Sequence, residues 1–230
     1  MTVKVLAVSD QIDPRIHSAT LRQRMPDIDF VVSAGDLPSR YLEFLADALE
    51  RPVYYVLGNH MEEWVKDQQT GKLYEPMGAE PLNGRVIYDK STGLIIAGLS
   101  GSPKYSGEGG QQFTEFQVYR TIARMCPKLL WNRLTRGRWV DLLITHAPPR
   151  DVNDRPDKAH RGFSAYRTFI NMFKPRYLLH GHIHLYDRNE PWQATLGETR
   201  VINVYPYQKL ELDFEKPAAT YPLRGCRSGG

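Results

Sequence analysis

Five short apolar runs, each ending abruptly in polar residues, constrain this chain more than any other feature of its sequence. They cover residues 3–8, 28–34, 53–57, 139–145 and 177–179. Apolar runs of this length without alternation are typical of strands covered on both faces. Between the first runs lie stretches such as 41–50, whose apolar residues recur at three- and four-residue spacing and predict helices. Alternating strands and helices predict an α/β fold with a largely parallel sheet and right-handed crossovers.

The polar residues that follow these runs are candidates for a single site. They are Ser9-Asp10, Gly35-Asp36, Gly58-Asn59-His60, His146, and His180-Gly181-His182-Ile183-His184. In open parallel sheets, ligands bind outside the carboxyl ends of the strands. All five clusters fall at such ends, and we therefore predict that they meet at one edge of the sheet.

The chemistry of these side chains points to a divalent metal ion. Oxygen or imidazole-nitrogen donors are supplied by Asp10, Asp36, Asn59, His146, His182 and His184. Mixed oxygen and nitrogen donors suit Mn²⁺, Fe²⁺, Zn²⁺ or Ni²⁺ better than Ca²⁺. We expect one or two ions, with Mn²⁺ the first choice. Two ions about 3.5–4 Å apart can clamp a phosphate and generate a hydroxide nucleophile. His60, next to Asn59, would lie close enough to the leaving group to act as a general acid.

In this order, the clusters resemble motifs two to five of the calcineurin-like metallophosphoesterases. The resembling residues are Gly35-Asp36, Gly58-Asn59-His60, His146 before Ala147-Pro148-Pro149, and Gly181-His182-Ile183-His184, and the resemblance spans Asp10 to His184. It implies a four-layer α/β/β/α sandwich with mixed, largely parallel sheets and a two-metal centre. It further implies the following roles: Asp36 as the bridge, Asn59, His146 and His182 on one ion, Asp10 and His184 on the other, and His60 assisting the leaving group.

The first motif departs from the family pattern. The family has Asp-x-His, whereas this chain has Asp10-Gln11-Ile12, and the side chain of Ile12 cannot bind a metal. The ion held by Asp10, Asp36 and His184 therefore loses one ligand. Three outcomes stay open. A water molecule, Gln11 or Asp13 could complete the coordination shell of this ion. Alternatively, the ion binds weakly, or the enzyme works with one ion. We favour a weakened but usable site.

Further elements are predicted from local pattern. Residues 85–88 and 93–99 predict a hairpin, 113–125 a helix, and 192–196, 199–204 and 209–214 antiparallel strands. The glycine- and serine-rich segment 100–112 is either a linker or a loop over the site. We expect one domain over residues 1–216 and a frayed tail over 217–230.

Several single residues have competing interpretations. His180 is expected to be structural, Tyr105 to pack within its loop rather than stack on a substrate, and Cys126 to be an inert thiol. For His160 and Arg161, contact with a phosphate and a solvated position are equally open. The prediction for each depends on how close the structure brings it to the metal-binding residues.

The predicted function is hydrolysis of a small phosphodiester or phosphomonoester by a metal-activated water. One alternative is a weak or inactive descendant that binds a phosphorylated ligand or a protein partner, which the loss of histidine at Ile12 favours. A second is a nuclease, although a net charge of +4 is too small to argue for nucleic acid. With two cysteines, no CxxC and no apolar span, we expect a soluble cytoplasmic protein without a membrane partner. The sequence leaves the oligomeric state undetermined.

Overall fold

The five apolar runs form buried strands in the computed structural model, which describes residues 1–60, 74–106, 110–187 and 189–215. The tail predicted over 217–230 lies outside the described residues. The described elements, in chain order, are β1 (Thr2–Val8), α1 (Leu21–Arg24), β2 (Phe30–Ser33), α2 (Ser39–Leu49), β3 (Val53–Tyr55), β4 (Ala79–Pro81), β5 (Val86–Tyr88), β6 (Ile95–Leu99), β7 (Ser102–Pro103), β8 (Gln112–Phe113), α3 (Glu115–Arg136), β9 (Leu142–Thr145), α4 (Ser164–Phe173), β10 (Tyr177–His180), β11 (Gln193–Leu196), β12 (Thr199–Asn203) and β13 (Tyr207–Asp213).

Two mixed sheets contain most of the strands. The first has the order β13-β1-β2-β3-β4 and is parallel except for β13, which runs antiparallel to β1. The second has the order β11-β12-β10-β9-β6-β5, with four parallel strands in the centre and an antiparallel strand at each edge. The prediction of mixed, largely parallel sheets is confirmed. Strands β7 and β8 form a separate short pair.

Three clusters of buried residues show how the elements pack. One cluster joins the two sheets and contains Val32 of β2 and Ile144 of β9. The adjacent residue Val31 faces the other way, into a cluster with α2. Leu143, next to Ile144, likewise faces a cluster with α3 and α4. Because neighbouring strand residues point to opposite faces, β2 and β9 each have one face toward the cluster that joins the sheets and one toward a cluster with helices.

The predicted hairpin is confirmed, since β5 and β6 pair antiparallel. Helix α3 begins close to its predicted start but continues to Arg136, eleven residues beyond the predicted end at 125, because buried positions continue through Leu129 and Asn132. Thr114 and Gln117 form a capping box at its start. No helix among the described residues is long and apolar enough to cross a bilayer.

The strands after the last histidine cluster are only partly as predicted. β11 pairs antiparallel with β12, and β13 antiparallel with β1. However, β12 runs parallel to β10, and β13 crosses to the first sheet instead of extending the second. The last three strands are therefore divided between the sheets, with β11 and β12 in the second sheet and β13 at the edge of the first.

Candidate metal centre

The polar clusters lie together at the carboxyl ends of β1, β2, β3, β9 and β10. Asp10, Asp36 and His182 follow their strands with left-handed backbone, at φ values of +62°, +54° and +66°. This conformation costs roughly 1–2 kcal/mol in a residue other than glycine. All three of these candidate ligands have the left-handed conformation, and local backbone strain of this kind is typical of functional sites. The tight turns at these strand ends place the three residues at one edge of the fold.

Two glycines allow these turns to approach one another. A Cβ atom on Gly58 would lie 1.9 Å from Asp36 Oδ1 and 2.6 Å from the Asp36 backbone nitrogen. A Cβ atom on Gly35 would lie 2.6 Å from His146 Nδ1. A side chain at the glycine of either the Gly-Asp or the Gly-Asn-His motif would therefore collide with a candidate ligand.

His146 is the centre of the main group of donor atoms. Its Nε2 atom lies 3.0 Å from Asn59 Oδ1, 3.1 Å from His182 Nδ1 and 3.2 Å from Asp36 Oδ2. The donor atoms of Asp36, His146 and His182 all lie within 4.8 Å of one another. His146, His182 and Asn59 are buried. The three residues that the resemblance assigned to one ion, Asn59, His146 and His182, therefore converge with the proposed bridge Asp36 on one small volume.

Backbone carbonyls fix which ring nitrogen each histidine presents. His146 Nδ1 lies 2.8 Å from the Ala34 carbonyl oxygen, and His182 Nε2 lies 2.7 Å from that of Ala159. A carbonyl accepts only, so both of these nitrogens carry a proton. In the neutral rings, His146 Nε2 and His182 Nδ1 are then two acceptors facing each other at 3.1 Å. A cation resolves that conflict, and the carbonyl contacts are those that orient metal-binding imidazoles. The residues present therefore fit a divalent ion.

The pKa values follow the same electrostatics. Burial lowers the pKa of His146, but the charges of Asp36 and Asp10 and the hydrogen bond to Asp36 outweigh it and raise that pKa to about 9. For His182, burial and then the neighbouring charge on His146 lower the pKa to about 3. The buried group therefore favours a single positive charge between the two rings, which a proton on His146 supplies when no metal is bound.

Asp10 and His184 form a second, more open group. Asp10 Oδ1 lies 3.6 Å from His184 Nε2, and its carboxylate also accepts from the backbone N–H of His182. Burial raises the pKa of Asp10, but hydrogen bonding to His184 and the charge of His146 lower it more. His184 stacks on Tyr205 at 4.6 Å, and its side chain is 41% exposed. This pair is less enclosed than the group around His146.

Ile12 and the residues on either side of it are engaged in packing or hydrogen bonds. Ile12 packs against the core cluster between α2 and the first sheet. Asp13 is held by Arg15 through two side-chain bonds and one backbone bond. Gln11 Oε1 accepts from the Tyr205 hydroxyl at 2.7 Å. Among the side chains considered as replacement ligands, Asp13 is thus committed to Arg15, and Gln11 would first have to release Tyr205.

His60 lies at the rim of the site. Its residue is exposed, and its backbone N–H donates to Asp36 Oδ1 at 2.8 Å. This bond links the residue after Asn59 directly to the main donor group. Its role as a general acid stays a prediction.

The glycine-rich segment contributes a residue that sequence reasoning undervalued. The Asn59 side-chain N–H donates to the Tyr105 hydroxyl at 3.2 Å, and the other amide atom, Oδ1, faces His146. Tyr105 thereby orients the Asn59 amide, so the described part of this segment lies against the site. Its position directly after buried strand β6 was the available signal.

His180, His160 and Arg161 differ in their distance from the donor group. His180 is fully buried, with Nδ1 bonded to the Gly181 carbonyl and Nε2 facing Asn153, and burial lowers its pKa to about 4. These contacts fit its expected structural role. The His160 ring lies 5.5 Å from that of His182 and bonds to Asp157, whereas Arg161 donates to the Pro156 carbonyl. His160 therefore borders the site, and Arg161 points to its own loop.

Comparison with known proteins agrees with this geometry. A family model described as calcineurin-like phosphoesterase matches residues 3–186. A curated UPF0046 protein of Caenorhabditis elegans is 24% identical in an alignment of 196 residues that covers 79% of this chain and 63% of the relative. The chain thus spans less than two thirds of that relative's length.

Solved structures support the same fold. One crystal structure superposes with a TM-score of 0.60 at 16% identity, covering 92% of this chain and 95% of the other. The crystal structure of TT1561 of Thermus thermophilus gives a TM-score of 0.56 at 15% identity, with 89% of each chain covered. At such low identities, the likeness shows the fold alone.

Proposed function

Because the chain belongs to the calcineurin-like phosphoesterase family, we propose that it is a metal-dependent hydrolase of small phosphate esters. The observation that supports this most strongly is the convergence of Asp36, Asn59, His146 and His182 around one point, with one ring nitrogen of each histidine facing the other. These residues would hold the ion. When bound there, a divalent ion supplies a nucleophile at neutral pH and neutralises charge on the phosphate.

The protein groups prepare this site before a substrate arrives. The carbonyls of Ala34 and Ala159 hold the two rings with their free nitrogens inward, and Tyr105 holds the Asn59 amide. Fixed donors of this kind need no reorganisation during the reaction. We assign His60 to the proton that the leaving oxygen needs, because its backbone is already bonded to Asp36 at the rim.

We propose that Asp10 and His184 would hold a second ion, and would hold it more weakly than the main group holds the first. The 41% exposure of His184 and the loss of a ligand at Ile12 both support this difference. Mn²⁺ suits the mixed carboxylate, amide and imidazole set of the main group. A reducing compartment such as the cytoplasm fits a chain with two cysteines and no CxxC.

The preferred substrate is a small phosphodiester or phosphomonoester. Tyr186, which contacts His184 through its hydroxyl, is 78% exposed and offers an aromatic surface beside the site. A nuclease would need a larger cationic surface, and its binding would weaken steeply with salt. A small ester should show only a shallow salt dependence.

The test is hydrolysis of an aryl phosphodiester and the matching monoester by metal-stripped protein supplied with Mn²⁺. His146→Ala serves as the inactive control, and Cys126→Ala as a control substitution away from the site. We expect Mn²⁺-dependent turnover that is lost only with His146→Ala. Metal binding without turnover of either ester would instead support a descendant that only binds a phosphorylated ligand.

A further inference from the structure

Helix α3 has two apolar faces, and only one of them is used by the fold. Val118, Ile122, Met125 and Leu129 are buried against the second sheet. On the opposite side, large apolar side chains are exposed: Phe116 by 75%, Leu130 by 49%, Trp131 by 56% and Leu134 by 75%. Tyr119 is exposed by 40%, and its hydroxyl bonds to Thr168 of α4. Exposed apolar surface of this extent in one place marks an interaction site.

The exposed apolar residues form a continuous stripe. Phe116, Tyr119, Leu130 and Leu134, with the small exposed residues Ala123 and Pro127 between them, follow one another at spacings of three and four residues. Such spacing keeps side chains on one face of a helix. From Phe116 to Leu134 the stripe extends about 27 Å at 1.5 Å per residue. The stripe therefore extends over most of the length of α3.

Cations line one side of this stripe. Arg120, Arg124 and Lys128 recur every fourth residue, are exposed, and form no ion pair with any residue that the structure describes. Like charges four residues apart destabilise an isolated helix by about 0.2–0.5 kcal/mol per pair. The only acidic residue of α3, Glu115, accepts from the backbone of α4. The row thus carries uncompensated positive charge beside exposed apolar groups.

We propose that this face of α3, defined by its apolar stripe and the Arg120–Arg124–Lys128 row, docks the protein on an anionic lipid surface. Helices that lie in a membrane interface insert an apolar face and place Lys and Arg against lipid phosphates. A second copy packing its own stripe here would bring like-charged rows together. The expectation of no membrane partner rested on the lack of an apolar span, which surface docking does not require.

Sedimentation of the full chain with vesicles tests the proposal. One set contains phosphatidylcholine alone, and the other phosphatidylcholine and phosphatidylglycerol in equal amounts. We expect binding to the second set only, weakening as salt is raised. Each cation near an anionic surface is worth a factor of about five, so Arg120→Gln with Arg124→Gln should lower partitioning about 25-fold. Leu130→Ser with Leu134→Ser should abolish it.

Matched controls separate this face from general charge. Arg40→Gln with Lys90→Gln removes the same charge from exposed positions in α2 and the β5–β6 turn and should bind like the wild type. All variants should keep the turnover of the wild type, so a failure of docking is distinguishable from a failure of the proposed chemistry. No binding to either vesicle set, or equal binding by the two charge variants, would overturn the proposal. A dimer in solution that Leu134→Ser dissociates, without vesicle binding, would assign the stripe to a second copy instead.

Discussion

Replacing Gly58 with alanine should disrupt the metal centre while leaving the protein folded. The added Cβ atom would lie 1.9 Å from Asp36 Oδ1, 2.4 Å from its Cγ and 2.6 Å from its backbone nitrogen. Turning the Asp36 side chain cannot clear the contact with the backbone nitrogen. The Asp36 carboxylate must therefore be displaced by about 1 Å or more, and a misplacement of that size costs about 100-fold in rate.

The assay combines turnover of the aryl phosphodiester, bound metal by elemental analysis, and thermal unfolding on one preparation. Gly58→Ala should remain folded but lose both turnover and bound Mn²⁺. Gly197→Ala is the matched control, because its Cβ atom meets nothing within 4 Å although its backbone φ is +60°. It should lose stability by roughly 1–2 kcal/mol through its left-handed backbone and keep full activity. If Gly58→Ala retained turnover within about threefold of the wild type, against the 100-fold loss expected from a 1 Å misplacement, Asp36 would not belong to the reacting centre.

Three further perturbations give separate expected outcomes. His60→Ala should leave bound metal unchanged and slow turnover by about 100-fold or more, with a larger loss for alkyl than for nitrophenyl leaving groups; an equal loss for both would remove its role as the acid. Ile12→His should tighten one of the bound ions in a calorimetric titration and raise turnover at low Mn²⁺, whereas unchanged affinity and rate would mean that Ile12 does not occupy the position assigned to it. The pKa of Asp27 is lowered to about 2 by hydrogen bonds from Lys4 and then from Lys209. The contribution of Asp27 to stability is therefore present above its ordinary pKa and is lost as pH falls towards 2. Asp27→Asn should melt at a lower temperature than the wild type at neutral pH, by a difference that shrinks in acid, and a difference that stays constant with pH would contradict the assignment.

The sequence was sufficient for the central strands of both sheets because these strands are buried on both faces. Runs such as 28–34 and 139–145 have no polar alternation, which left strands covered on both sides as their simplest interpretation. The donor group followed from the same reasoning, since carboxyl ends of parallel strands share an edge. The pairing of β13 did not follow, because the alternation over 207–213 indicates one buried face but not which neighbour the strand takes.

The parts of the site that were missed involve groups with weak sequence signals. The carbonyls of Ala34 and Ala159 orient the two histidine rings, yet a backbone carbonyl is the same in every residue type. Tyr105 lies in a segment without periodicity. Its position directly after buried strand β6 was compatible with a loop over the site but did not predict the contact of its hydroxyl with Asn59. The free face of α3 was hidden for a different reason: apolar residues on two sides of a helix look like one well-buried helix until the packing is known.

The most direct test of the metal centre is a Mn²⁺ titration of metal-stripped protein in which bound metal and phosphodiester turnover are measured on the same samples. If Asp36, Asn59, His146 and His182 hold the ion that the reaction uses, turnover should rise in proportion to the first equivalent bound and be absent before it. Any further rise should require higher Mn²⁺, as the weaker pair Asp10 and His184 fills. Full turnover in the metal-stripped protein, or a filled first site without turnover until a second ion binds, would contradict the assignment of the reaction to the group around His146.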